Sequence, residues 1–182
     1  MLKSNPIFCA LDTTDVDRAA SLGNDLKDAV GGLKVGKEFF TAHGPGGVRK
    51  IIPTGTPLFL DLKFHDIPNT VAGAVRAASA LTPAMLNVHA AGGRAMMEAA
   101  RDAAAESKAR PWVLAVTVLT SLDAGDLADI GVNGAPGEQV LRLATLAQTA
   151  GLDGVVCSAQ EISTLRAECG PDFKLVVPGI RP

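Results

Sequence analysis

Leu60-Asp61-Leu62-Lys63-Phe64-His65-Asp66-Ile67-Pro68-Asn69-Thr70 is the densest charged stretch of the chain, and it grows directly out of the apolar run Pro57–Leu62. A run that short and that apolar reads as a strand covered on both faces, as in a parallel sheet. Side chains alternate along a strand, so Asp61 and Lys63 point to the same side. Asp66 lies three residues further on, where Pro68 implies a loop and holds the residue before it extended. Charges at the end of a buried strand are costly unless they pair. A salt-bridged strand end would explain one pair. Three charges within six residues at a strand's C-terminus point instead to the mouth of a site.

Working outward, six further apolar runs read as strands: Pro6–Leu11, Leu33–Gly36, Ala84–His89, Trp112–Leu119, Gly154–Ser158 and Lys174–Pro178. Between them Ala19–Val30, Val71–Leu81, Arg94–Lys108, Gly137–Ala150 and Ala159–Cys169 carry strong helix formers with apolar spacings of three and four. Strand and helix in alternation imply a parallel sheet with crossover helices. A doubly wound sheet would call for a glycine-rich fingerprint after its first strand, where this chain has Leu11-Asp12-Thr13-Thr14. A (β/α)8 TIM barrel fits better. Polar groups stand at the strand ends, namely Asp12, Lys34, Asp61 with Lys63, His89, Thr120 and Arg181, and barrels build their sites at that end. Seven of the eight strands are present. No change of composition marks a second domain, so residues 1–182 read as one barrel domain. A barrel typically takes about 250 residues, so strand eight and its flanking helices are expected to be missing from the C-terminus.

Composition excludes several partners. Hydrophobic residues are 47% of the 182, as two-sided burial requires, and the net charge of −2 gives no bulk attraction to nucleic acid or anionic lipid. Tyr is absent and aromatics total 4%, leaving little for stacking bases. The apolar N-terminal stretch runs into Asp12 and is too short for a signal peptide or a membrane span. Cys9, Cys157 and Cys169 are an odd set without ligand spacing, which reads as free thiols in a reducing, cytoplasmic setting. His43, His65 and His89 have no metal spacing either, and His89 is expected to serve as a structural hydrogen-bonding group. Gly44-Pro45-Gly46-Gly47 and Gly92-Gly93-Arg94 match no phosphate-loop pattern and read as turns or helix starts. Lys34 by itself could be a lysine snorkelling to the rim. Beside Asp12, Asp61 and Lys63 on neighbouring strands it joins an alternating charge network.

The run DLKFHDIPNT at Asp61–Thr70 resembles the signature of the orotidine 5′-monophosphate decarboxylase family. The resemblance extends through ALD at Ala10–Asp12, LKVGKEFF at Leu33–Phe40, NVHAAGG at Asn87–Gly93, AVTVLTS at Ala115–Ser121, GLDGVVCSAQE at Gly151–Glu161 and PGIRP at Pro178–Pro182. The Asp-x-Lys-x-x-Asp core alone is shared with related sugar-phosphate decarboxylases. The ten-residue run in the company of the other blocks is specific. The resemblance implies a cytoplasmic enzyme of pyrimidine synthesis that works without metal or cofactor. It implies that Lys63 gives a proton to C6 of the pyrimidine, that Asp61 sits against the departing carboxylate, and that Asp66 completes a Lys34–Asp61–Lys63–Asp66 array. It further implies a homodimer with shared sites, in which Asp66 and Thr70 serve the partner. Asp12, Lys34 and Thr70 would hold the ribose hydroxyls, Thr120 would lie near the base, and Arg181 would hold the phosphate.

That chemistry suits these residues. Loss of CO2 from C6 leaves a carbanion that no ring position delocalises well, and the sequence offers no electron-sink motif. A fixed ammonium stabilises such a charge and can supply the proton. Two other functions fit parts of the pattern. A Mg²⁺-dependent sugar-phosphate decarboxylase or aldolase of the same barrel group would need an acidic ligand where Lys34 stands, and a cation there repels the metal. A non-catalytic barrel fragment would not need Asp61, Lys63 and Asp66 together.

Overall fold

The computed structural model describes residues 5–180. Seven strands, β1 (Phe8–Ala10), β2 (Gly32–Gly36), β3 (Leu58–Phe64), β4 (Met85–His89), β5 (Trp112–Val116), β6 (Gly154–Val156) and β7 (Lys174–Val176), form one sheet in sequence order. Every neighbouring pair is parallel. The crossovers carry α1 (Val16–Leu26), α2 (Lys37–Ile51), α3 (Pro68–Ser79), α4 (Arg94–Ala105), α5 (Ala124–Asp129), α6 (Pro136–Thr149) and α7 (Ile162–Cys169).

Alternation along the strands separates two apolar clusters. Leu33, Val35, Leu58, Leu60, Leu62, Leu86, Val88, Val113, Ala115 and Val155 pack outward against the helices, and all are buried. The intervening positions Phe59, Met85, Leu114, Val116 and Val156 form a second cluster on the inner face, joined by Phe8, Trp112 and Val176. Burying each such aliphatic or aromatic side chain stabilises by about 1.5–3 kcal/mol. At the N-terminal end of the inner face the Lys174 ammonium lies 5.3 Å from the Trp112 ring centre.

All seven sequence-derived strands are present, with different ends. β5 stops at Val116, and just beyond it both the backbone N–H (3.3 Å) and the hydroxyl (3.0 Å) of Thr117 donate to the Val156 carbonyl. β3 runs on to Phe64. Two helices went unread. α2 contains Gly44-Pro45, where Gly44 adopts φ 59° and the helix bends and restarts at Pro45. Only glycine takes that backbone freely, and Pro suits a first turn. α5 spans a single six-residue segment held by a reciprocal cap. The Asp123 side chain accepts from the Asp126 N–H at 3.0 Å, and the Asp126 side chain accepts from the Asp123 N–H at 3.0 Å. Gly93 precedes the first residue of α4, so Gly92-Gly93-Arg94 is a helix start, as expected.

Candidate active site

Parallel strands place their C-terminal residues side by side, and here that brings four charges from three strand ends together. Lys34 on β2 reaches across to Asp61 on β3, Nζ to Oδ2 3.3 Å, and to Asp12 just past β1, Nζ to Oδ1 3.7 Å. Lys63 closes on the other carboxylate oxygen of Asp61, Nζ to Oδ1 2.6 Å. The side chain of Asp61 is only 12% exposed, whereas that of Asp12 is 73% exposed. The Asp61 contacts are therefore the strong part of the array, and the Asp12 pair is screened by water. Burial pushes the Asp61 carboxyl up. Hydrogen bonds from Lys63 and Asn87, with the charges of Lys63 and Lys34, outweigh it and leave the group below its ordinary value.

The strand is distorted where it carries Lys63. Leu60 pairs with Leu86 and Phe64 with Val88, so four residues of β3 advance against two of β4. Lys63 itself has φ 52°, a left-handed conformation that non-glycine residues rarely take and that clusters at functional sites. Asn87 on β4 spans this bulge. Its Oδ1 accepts the Lys63 backbone N–H at 2.7 Å, and its Nδ2 donates to Asp61 Oδ1 at 2.7 Å. Asn87 is fully buried. The sequence reading did not single it out, although one amide within the otherwise apolar run Met85-Leu86-Asn87-Val88 was the available signal, since a buried amide needs partners.

His89, two residues beyond Asn87, is half-buried, and its ring meets that of His65, centres 5.4 Å apart. That ring contact stands where a hydrogen-bonding role was expected. Burial first, then the charges of His65, Lys37 and Lys63, push the His89 imidazole down to about 4, with Asp61 opposing. At neutral pH the ring is uncharged.

The remaining expected site residues lie apart from the array. Asp66 is exposed and its carboxylate accepts the Ile67 N–H at 2.7 Å. Thr70 is exposed in the first turn of α3. Thr120 is exposed in the turn after β5, beyond the strand end where it had been read. Arg181 lies outside the described residues. Next to Asp66, Ile67 is 67% exposed. It lines a shallow depression with His65, Asp66, Pro68, Ala91 and Gly92. No helix among the described residues is long and apolar enough to cross a membrane.

Known proteins share this sequence and this fold. The chain is 58% identical over 187 residues to an orotidine 5′-phosphate decarboxylase of Rhodospirillum rubrum, covering 100% of this chain and 76% of that one. It is 52% identical to the enzyme of the same name from Paramagnetospirillum magneticum, covering 98% and 78%. The crystal structure of orotidine 5′-phosphate decarboxylase from Lactobacillus acidophilus superposes with a TM-score of 0.91 at 38% identity, covering 98% of this chain and 83% of that one. The family model described as orotidine 5′-phosphate decarboxylase / HUMPS matches residues 5–182. With a curled sheet of seven parallel strands and a charge array at its C-terminal edge, this chain is a TIM-barrel protein and belongs to the orotidine 5′-phosphate decarboxylase / HUMPS family.

Proposed function

We propose that the protein decarboxylates orotidine 5′-monophosphate to uridine 5′-monophosphate, as a carboxy-lyase of pyrimidine nucleotide synthesis. The observation that carries the reading is the Lys34–Asp61–Lys63 chain of contacts at the strand ends, in a sequence more than half identical to decarboxylases of that name. The bond from C6 to the carboxylate breaks, its electron pair stays on C6, and CO2 departs. The Lys63 ammonium stabilises the developing carbanion and then passes its proton to C6. An ammonium held beside a developing negative charge acts without reorganisation, and a pair of unit charges about 4 Å apart is worth about 4 kcal/mol at an effective dielectric of 20. Asp61 fixes Lys63 in place and faces the substrate carboxylate. Lys34 and Asp12 hold ribose hydroxyls, Thr120 approaches the base, and Arg181 takes the phosphate. Binding of that remote phosphate supplies energy for orienting the ring.

The site is shared in a homodimer on this reading. Asp66 and Thr70 are exposed and stand outside the charge array of their own chain, and the bare Ile67 beside Asp66 offers an apolar anchor for a second copy. Mixing inactive Lys63→Ala and Asp66→Ala chains should restore part of the activity. Mixed dimers that form yet stay inactive would refute sharing.

Membership of the family leaves room for a sugar-phosphate reaction that uses Mg²⁺. Lys34 weighs against it, because its ammonium occupies the place of an acidic metal ligand. Purified protein mixed with orotidine 5′-monophosphate, with and without EDTA, is followed by the pyrimidine ultraviolet absorbance. Conversion at equal rates in both is expected. A rate abolished by EDTA would favour the metal-dependent reaction, and no conversion at all would reject the assignment.

A further inference from the structure

We propose that Asn87 is a positioning residue of the charge array, whose side-chain amide fixes the left-handed backbone of Lys63 and holds Asp61 Oδ1 against the Lys63 ammonium. The role rests on the decarboxylase reading of the site, but the geometry behind it is independent of the substrate. Two groups meet the Asn87 amide, and each admits one end of it. The Lys63 backbone N–H can only donate, so it faces Oδ1 at 2.7 Å. The Asp61 carboxylate accepts, so it faces Nδ2 at 2.7 Å. No other uncharged side chain of this size offers a donor and an acceptor in a fixed plane.

The consequence is a closed loop of contacts. From Asn87 it runs to the Lys63 backbone, along the side chain to Nζ, across 2.6 Å to Asp61 Oδ1, and back to Asn87. The β3 ladder is broken at this point, since Leu60 and Phe64 pair with residues only two apart on β4. Sheet hydrogen bonding therefore cannot set the Lys63 conformation, and the Asn87 carbonyl takes its place. Asp61 Oδ1 receives both Lys63 Nζ and Asn87 Nδ2, while Oδ2 faces Lys34. Rotation of the carboxylate is stopped on both oxygens. Asn87 has no surface in solvent, so it touches neither bulk water nor a bound substrate and acts through its two neighbours.

The groups facing Asp61 are Lys63 on its own strand, Lys34 on β2 with Asp12 behind it, and on β4 Asn87 and the His89 ring. Of these, Asn87 is the uncharged donor, so its replacement changes Asp61 without changing the number of charges. Asn87→Leu keeps the branching and heavy-atom count, adds some bulk, and removes both hydrogen bonds. With a displaced proton donor, kcat on orotidine 5′-monophosphate should fall about 10²-fold with KM little altered. The Asp61 carboxyl, followed by carbon-13 NMR in ligand-free protein, should titrate at higher pH. The acid limb of the kcat–pH profile should move up with it. Asn87→Asp is the sharper variant. Ionised, it repels Asp61. Singly protonated, the pair regains a donor. Its activity should therefore rise as pH is lowered through the first protonation of the pair, which like-charge repulsion places above the wild-type acid limb. An Asn87→Leu protein with reduced thermal stability but wild-type kcat, acid limb and Asp61 titration would reduce Asn87 to a packing residue and overturn the proposal. Wild type without turnover would reject the decarboxylase assignment instead, and the Asp61 titration in the two proteins would still decide whether Asn87 positions the carboxylate.

Discussion

The inner face of the sheet divides into two halves built on the same alternation. Across β2–β4 the inward positions are Lys34, Asp61, Lys63, Asn87 and His89, above Phe59 and Met85. Across β5–β7 the equivalent register carries Leu114, Val116, Val156 and Val176. One half is a polar network in which groups are held by hydrogen bonds and charge, and its strand ladder is broken at Lys63. The other pairs residue for residue and holds itself by apolar contact. Strain and buried charge are tolerated on the polar side because regular, well-packed strands adjoin it in the same sheet and the helices cover the back. On the proposed function, the chemistry belongs to the polar half, and the apolar half carries only packing.

Substitutions can break this division, beginning with the largest effect. Lys34→Ala removes the cation facing Asp61 Oδ2 and should lower kcat/KM by about 10²–10³-fold, as loss of a fixed electrostatic contact does. Thermal unfolding should change little. Leu114→Ala on the apolar wall should do the reverse. Leu114 is fully buried, so truncation should cost about 2–5 kcal/mol in chemical denaturation, with a far smaller loss of kcat than Lys34→Ala. If the two variants lost activity equally, the halves would not be separable.

Acid should act on the polar half of the inner face, where the signs agree for the two shifted groups. Asp61 is depressed in the folded state, so the stability it contributes is present above its unfolded value and is lost as pH falls through its folded one. His89 is held neutral, ordinarily 6.5 and here about 4. Below 6.5 the unfolded chain takes up a proton that the folded chain refuses until about 4, so stability falls between those values. Urea titrations from pH 7 to 4 should show that decline, and His89→Asn should flatten it. The smallest effect belongs to the outer surface. Arg76 and Glu106 pair at 2.7 Å between α3 and α4 with both side chains more than half exposed. Arg76→Ala should leave the urea midpoint nearly unchanged, because water screens an exposed pair.

The regular half was legible in the sequence and the irregular half only in outline. Short apolar runs between helical stretches identified every strand, because parallel strands buried on both faces leave that trace. The spacing of Asp61 and Lys63 predicted a common face, and they meet at 2.6 Å. Their strand is nonetheless bulged, and nothing in Leu62-Lys63-Phe64 announces a residue at positive φ. Lys34 joined the array as its place at a strand end implied. Asn87 escaped because its role needs a partner on another strand. Thr120 was placed at the end of β5 because Val118 and Leu119 look like strand. The strand stops at Val116 instead. The Gly44-Pro45 bend hid α2, since a glycine–proline pair reads as a turn even where a helix resumes beyond it. The six residues of α5 are too few to show a helical period.

The central claim is that Lys63, held by Asp61, donates the proton to C6. It is tested most directly by kcat/KM for orotidine 5′-monophosphate in EDTA, wild type beside Lys63→Ala, with circular dichroism to show that both are folded. The account predicts a metal-independent wild-type rate and a loss of at least about 10⁴-fold in the variant, because stabiliser and proton donor disappear together. A folded Lys63→Ala protein that still works at a rate near wild type would contradict it.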